Sequence, residues 1–236
     1  MKSIFMTTMA NWWAGLGEAD RLAGRYPRAE RHLKRALAML RRGRREDGVL
    51  AMNLWNRLGI VCKGEGRLDS GAHAYGRALR LARRHLRAND QRFAALYHNM
   101  AGLEHARGRY DVAEPLALHG LAIRKRALGG DHSEVARDLA AFAAILDGQG
   151  RHHEAEALHR RALARFERGG RRERREMGYA LANLAACLHL QGRRDEALEA
   201  ARKGVVLQRG ALGRHHPDVK LSESNLSILE RSAAAS

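Results

Sequence analysis

A large apolar residue followed at once by a small one recurs at a fixed interval along the chain: Leu16-Gly17, Leu58-Gly59, Met100-Ala101, Phe142-Ala143 and Leu184-Ala185. Eight residues after each large one stands a glycine, and arginine follows each glycine. The pairs are Gly24-Arg25, Gly66-Arg67, Gly108-Arg109, Gly150-Arg151 and Gly192-Arg193, spaced by 42 residues. Small residues return five positions after the glycine (Ala29, Gly71, Ala113, Ala155, Ala197) and twelve after it (Ala36, Ala78, Gly120, Ala162, Gly204). An uninterrupted period over five copies marks a repeat protein.

Each unit reads as two helices joined by a tight Gly-Arg turn. Small residues at fixed sites let the helices approach closely, and the large neighbour fills the adjoining space. One such pair cannot bury its apolar face alone, so successive pairs stack. The expected fold is all-α: a right-handed superhelical solenoid of antiparallel helix pairs, about five repeats plus a C-terminal capping helix, roughly eleven helices in all. The repeats fall at about 5–46, 47–88, 89–130, 131–172 and 173–214 within a single domain spanning 1–236, and a partial repeat at 215–236 caps the end with a polar-faced helix. The apolar N-terminal run IFMTTMANWWAGLG becomes the first helix of the first repeat rather than a signal segment.

Composition agrees. Hydrophobic residues make up 45% but aromatics only 5%, and there are 3 prolines. Ala, Leu, Arg and Glu dominate while β-branched residues are thin, the vocabulary of helices. Cys62 and Cys187 lie far apart in apolar runs without metal-binding spacing, which predicts buried thiols in a reducing, cytoplasmic setting. No run of 18 apolar residues is present, so no membrane-spanning helix is expected.

Trp13-Ala-Gly-Leu16-Gly17 and Trp55-Asn-Arg-Leu58-Gly59 are both W-x-x-L-G, the opening of the tetratricopeptide repeat pattern. The period exceeds the usual length of about 34 residues. In its 42-residue form the chain resembles the repeats of kinesin light chains and their bacterial relatives. Ala113-Glu114-Pro115-Leu116, Ala155-Glu156-Ala157-Leu158 with Arg161-Ala162-Leu163, and Leu212-Gly213 followed by His216-Pro217-Asp218-Val219 carry that resemblance, which covers essentially the whole chain. Pro115 is placed in the opening turn of its helix, where a missing N–H does little harm.

One stretch suggests a metal site. His152, His153, Glu156 and His159 lie close in sequence, and Glu156-x-x-His159 matches the iron ligands of helical bundles. The repeat register argues otherwise: His159 stands where other repeats carry Leu33, Tyr75, Ala117 and Ala201, and no second E-x-x-H faces it. It is read as a half-buried histidine on a helix surface, and His132, His215 and His216 as turn and capping residues. No nucleophile elbow, phosphate loop or H-E-x-x-H is present. Neither enzymatic activity nor a metal or cofactor is therefore expected.

Function is expected on the concave face lined by first helices. Nine and thirteen residues before each turn glycine, one helix face presents Asn53, Arg57, Asn99, Arg137, Asn183 and, in the partial repeat, Asn225. In kinesin light chain-like repeats the asparagine beside the leucine–small pair lines a peptide groove, and Asn99, Asn183 and Asn225 occupy that place. An asparagine amide both donates to and accepts from a peptide backbone, while Arg57 and Arg137 suit acidic side chains. Gly15 and Ala141 depart from the pattern. The lysine–asparagine clamp that some tetratricopeptide proteins use for a terminal carboxylate has no recognisable counterpart.

Formal net charge is +17, with 43 Lys and Arg against 26 Asp and Glu. Arg41, Arg42, Arg83, Arg84, Lys125 and Arg126 recur in the linkers between repeats, and the arginines after the turn glycines should make the opposite edge basic as well. These features predict a cytoplasmic scaffold or adaptor for an extended, acidic segment of a partner protein. The alternative is a basic solenoid gripping nucleic acid through its phosphates. No stacking aromatics are interleaved with the basic runs, so such binding would be unspecific.

Overall fold

The computed structural model describes residues 2–42 and 48–234, and among them eleven α-helices, one 3-10 turn and no strand. They are α1 (Lys2–Leu22), α2 (Tyr26–Arg42), α3 (Gly48–Gly64), α4 (Leu68–His85), α5 (Arg92–Ala106), α6 (Tyr110–Leu128), α7 (Ser133–Gly148), α8 (His152–Gly169), α9 (Arg174–Leu190), α10 (Arg194–Leu212) and α11 (Pro217–Ala234). The chain is all-α, a helical repeat of the solenoid class. The expected junction between the first two repeats, at residues 46 and 47, lies outside the described residues, as do the last two residues of the expected cap.

Helices and turns follow the sequence period because the turn glycines have a backbone reason to be glycine. Gly24, Gly66, Gly108, Gly150 and Gly192 all take positive φ, from 69° to 80°, a region that costs other L-residues about 1–2 kcal/mol. At Gly150 the glycine N–H donates to the Asp147 carbonyl at 3.0 Å, and the N–H of Arg151 donates to the Leu146 carbonyl at 2.9 Å. Gly24, Gly66 and Gly192 repeat this Schellman pattern, which satisfies the last carbonyls of each first helix and reverses the chain.

The helices form two compact units, residues 1–107 and 108–236. In the first, α1 packs on α2, α3 on α4, and α5 on α4. Leu33, Leu37 and Leu40 of α2 share a core with Leu54, Leu58 and Val61 of α3. The small positions are where backbones meet side chains: a Cβ on Gly59 would lie 2.4 Å from the Tyr75 ring, and one on Gly17 2.9 Å from Leu33 Cγ. In the second unit α6 packs on α7, α7 on α8, α9 on α10, and α11 closes over α10. Leu226 and Leu229 of α11 pack on a core containing Leu181, Leu184 and Leu188.

His132 caps α7, its Nδ1 accepting the Glu134 N–H at 3.1 Å, and His216 does the same for Asp218 at 3.2 Å. Pro115 does not lie in an opening turn; it is the sixth residue of α6, which runs through it unbroken. The 42-residue register also carries an exchange of chemistry. Phe166 and Ala180 are buried in one apolar cluster, whereas the residues 42 earlier, Arg124 and Asp138, form a buried ion pair at 2.6 Å.

Candidate functional site

The expected groove residues lie on the first helices of each unit. In the first unit Asn53 and Arg57 stand one turn apart on α3, with Asn99 on α5, all half-buried. Asn99 Nδ2 donates to Asn56 Oδ1 at 2.9 Å. Arg57 is drawn toward α1, donating to the Ala14 carbonyl at 3.4 Å and lying 3.4 Å from Glu18. In the second unit Arg137 is exposed on α7 but paired with Glu134 at 2.5 Å. Asn183 is half-buried on α9 and Asn225 exposed on α11. The amides of Asn53, Asn183 and Asn225 have no partner among the described residues. Both arginines and Asn99 are already engaged within the fold.

Sequence reasoning missed the apolar part of this face. Leu221 and Ile228 are 62% and 50% exposed, one turn to either side of Asn225 on α11, and Leu190 of α9 is 58% exposed. The register held the signal, because Leu221 continues the series of Asn53 and Arg137. The cap is therefore less polar than its SESNLSILER segment suggested.

Charge is distributed unequally between the two kinds of loop. Arg41, Arg42, Arg83, Arg84, Lys125 and Arg126 are exposed and have no ion-pair partner among the described residues. The turn arginines were expected to form a second basic edge, and this is corrected: Arg25, Arg67, Arg151 and Arg193 are each paired with a carboxylate. Arg25 binds the buried Asp20 at 2.6 Å. Arg67, Arg151 and Arg193 each reach a glutamate 37 residues earlier, Glu30 at 2.7 Å, Glu114 at 3.1 Å and Glu156 at 2.7 Å. The residue before the glycine strengthens two of these buckles: Gln149 donates to Glu114 at 2.7 Å, and Gln191 to Glu156 at 3.0 Å.

Glu156 of the E-x-x-H is therefore a buckle. Burial opposes its charge, but hydrogen bonds from Arg160, Arg193 and Gln191 prevail and hold its carboxyl at about 2. His159 is not half-buried on a surface; it is fully buried, its Nε2 donating to Asp147 at 3.1 Å. His152 Nδ1 donates to the same carboxylate at 3.1 Å. Asp147 lies below the usual carboxylate range because these bonds and one from Cys187 outweigh its burial. The glutamate and the histidines thus serve different partners. Among the described residues no group of three His, Cys, Asp or Glu is placed to hold a metal ion, and no helix is long and apolar enough to cross a membrane. Cys62 and Cys187 are buried thiols.

The repeat geometry and its glycine turns define a helical-repeat protein, and comparison with known families agrees. Tetratricopeptide repeats match residues 8–84, 92–168 and 178–218, and the chain belongs to this family. Its 42-residue repeats share their fold with solved kinesin light chain-like repeats. A putative kinesin light chain from Podosopora anserina is 18% identical, with a TM-score of 0.62 over 89% of this chain and 98% of that one. BtubC (BKLC) from P. vanneervenii is 20% identical, with a TM-score of 0.68 over 91% of this chain and 85% of that one. A Rap protein complexed with Competence and Sporulation Factor is 16% identical, with a TM-score of 0.75 over 92% of this chain and 57% of that one. At these identities the likeness is one of fold. No curated protein matches the chain.

Proposed function

We propose that the chain is a non-catalytic, cytoplasmic protein-interaction scaffold, one domain of five repeats and a cap, whose first-helix faces hold an extended segment of a partner protein. The observation that carries this reading is the set of unbonded amides at Asn53, Asn183 and Asn225 on recurring positions of those faces. Each amide supplies both a donor and an acceptor to a peptide backbone and makes little demand on its side chains. Leu221 and Ile228 flank Asn225 and offer an apolar seat for one side chain of the segment. Asn99, Arg57 and Arg137 belong to the same face but would give up existing bonds to bind, so their part is smaller. Acidic residues of the partner meet the unpaired cations of the linkers and the net charge of +17. The Rap protein complexed with Competence and Sporulation Factor supports this fold as a holder of another molecule.

The test is capture of proteins from host lysate, after nuclease treatment, by wild type and by a triple variant Asn53→Leu, Asn183→Leu and Asn225→Leu. Loss of a specific partner with helix content unchanged supports the groove. Undiminished capture by the triple variant sinks it.

One observation favours a second reading, in which the linker edge grips nucleic acid. Arg41, Arg42, Arg83, Arg84, Lys125 and Arg126 have no ion-pair partner among the described residues and can release counterions from phosphates. It predicts steep salt dependence, with charge reversal at Arg41, Arg83, Arg84 and Arg126 hurting more than any groove change.

A further inference from the structure

The repeat register exposes a site outside the groove. In the first repeat the Arg35 guanidinium lies 4.7 Å from the centroid of the Trp13 ring, and in the second Arg77 lies 5.3 Å from that of Trp55. Each tryptophan stands eleven residues before the turn glycine and each arginine eleven after it. The fourth repeat keeps the arginine as Arg161 but carries Leu139 in place of the indole. A leucine gives a guanidinium no flat, electron-rich face to lie on. Here a pocket of about 290 Å³ opens, lined by Ala136 and Leu139 of α7, Arg161, Ala164, Arg165 and Arg168 of α8, and the loop at Gly130 and Asp131. That is near the lower end of the size range of small-ligand pockets, about 300–1,000 Å³.

The charges of this pocket are arranged for an anion. Arg161 is exposed and has no partner among the described residues. Arg165 donates to the Asp131 carbonyl and Arg168 to its carboxylate. Asp131 is itself largely exposed, at 79% for its side chain, so it does not seal the pocket. Three cations face one carboxylate, beside the buried Ala136 and Leu139, the latter standing where two sister repeats carry an indole.

We propose that this pocket binds a planar aromatic ring bearing a phosphate. The ring lies in the pocket against Leu139, the residue in register with Trp13 and Trp55, beside Arg161, and the phosphate meets Arg165 and Arg168. A mononucleotide and an aryl phosphate share this chemistry. The site lies between α7 and α8 and uses none of the groove residues, so it stands or falls independently of the peptide reading.

The experiment titrates the full chain with phenyl phosphate, inorganic phosphate, phenol and AMP, following the methyl resonances of Ala136 and Leu139. Phenyl phosphate should bind roughly tenfold tighter than either inorganic phosphate or phenol, the factor expected of one added cation–π contact. Arg161→Gln, an exposed change that leaves the fold intact, should weaken it by a similar factor. Leu139→Trp, which installs the ring of the first two repeats, should abolish it with helix content unchanged. If Leu139→Trp disturbs folding, Arg161→Gln decides alone. Tighter binding of AMP than of phenyl phosphate would identify a nucleotide site, and the reverse an aryl phosphate site. Equal affinity for inorganic and phenyl phosphate, or no shift at millimolar ligand, overturns the proposal.

Discussion

The turns within helix pairs and the linkers between them are both rich in arginine, yet they use it in opposite ways. At the turns Arg25, Arg67, Arg151 and Arg193 are held by carboxylates, and the last three reach across 37 residues, each fastening one helix pair to the pair before it. At the linkers Arg41, Arg42, Arg83, Arg84, Lys125 and Arg126 are exposed and unpaired among the described residues. The turns spend these charges on internal order, while the six linker cations keep theirs for solvent or a partner, although Arg168, 42 residues after Arg126, is held by Asp131. A count of basic residues cannot make that distinction. Only the location of the carboxylates can.

Arg124 breaks the rule, and removing its partner gives the largest expected effect. It sits in the last part of α6, on the linker side, yet is buried against Asp138 at 2.6 Å and Glu134 at 2.8 Å. Asp138→Ala should cost about 3 kcal/mol in urea unfolding, because a buried cation loses its nearest counter-charge. The double change Arg124→Leu with Asp138→Leu recreates the layer that Leu40 and Leu54 form in the first unit. It should recover most of that loss. If the single change is neutral, the pair is not a structural element and linker arginines are uniformly free.

Next comes the turn itself. Gly150 has φ of 80° and open space where a Cβ would stand, so Gly150→Ala isolates the backbone term. Its cost should be about 1–2 kcal/mol. Gly130→Ala on the linker, where the backbone has no positive φ and a Cβ meets nothing, should be near neutral. Equal losses at the two sites would remove the conformational distinction between turn and linker.

These contrasts show what the sequence could and could not reveal. Gly150 was legible because its backbone needs glycine whatever surrounds it, and Gly59 because Tyr75 leaves no space for a Cβ. Such requirements are local or repeat at a fixed register. The partner of Arg193 was not legible. Glu156 lies in the preceding repeat, and only the stacking of successive helix pairs brings the two together. The same holds for Asn99 and Asn56, 43 residues apart. His159 lies between these cases. Its register among Leu33, Tyr75, Ala117 and Ala201 marked a packing position, but its full burial depends on Asp147 standing ready to accept from its ring.

The buckles offer a pH-dependent test. Glu156 receives hydrogen bonds from Arg160, Arg193 and Gln191, and its side chain is only 13% exposed. Glu156→Gln should therefore cost about 1 kcal/mol at neutral pH. Its folded carboxyl titrates at about 2 against an ordinary value of 4.5. A depressed carboxylate contributes stability above its unfolded value and loses it as pH falls through the folded one. The gap between wild type and Glu156→Gln should thus be full above pH 4.5 and close between there and pH 2. A gap constant across that window would mean that packing, not charge, holds the buckle.

The smallest expected effect on stability is the sharpest on function. Reversing charge at Arg83 and Arg84 removes no ion pair that the described residues make, so unfolding should shift by no more than about 0.5 kcal/mol. Reversing Arg67 at a turn should cost more, because Glu30 and Glu65 would then face a third carboxylate. Retention on heparin should show the opposite order: a large drop for Arg83→Glu with Arg84→Glu, and little change for Arg67→Glu, whose charge is already spent. Stability and polyanion affinity measured on the same variants therefore separate the two sides along independent axes. If both variants move both quantities alike, the pairing at the turns does not partition the charge, and the basic surface acts as an undivided whole.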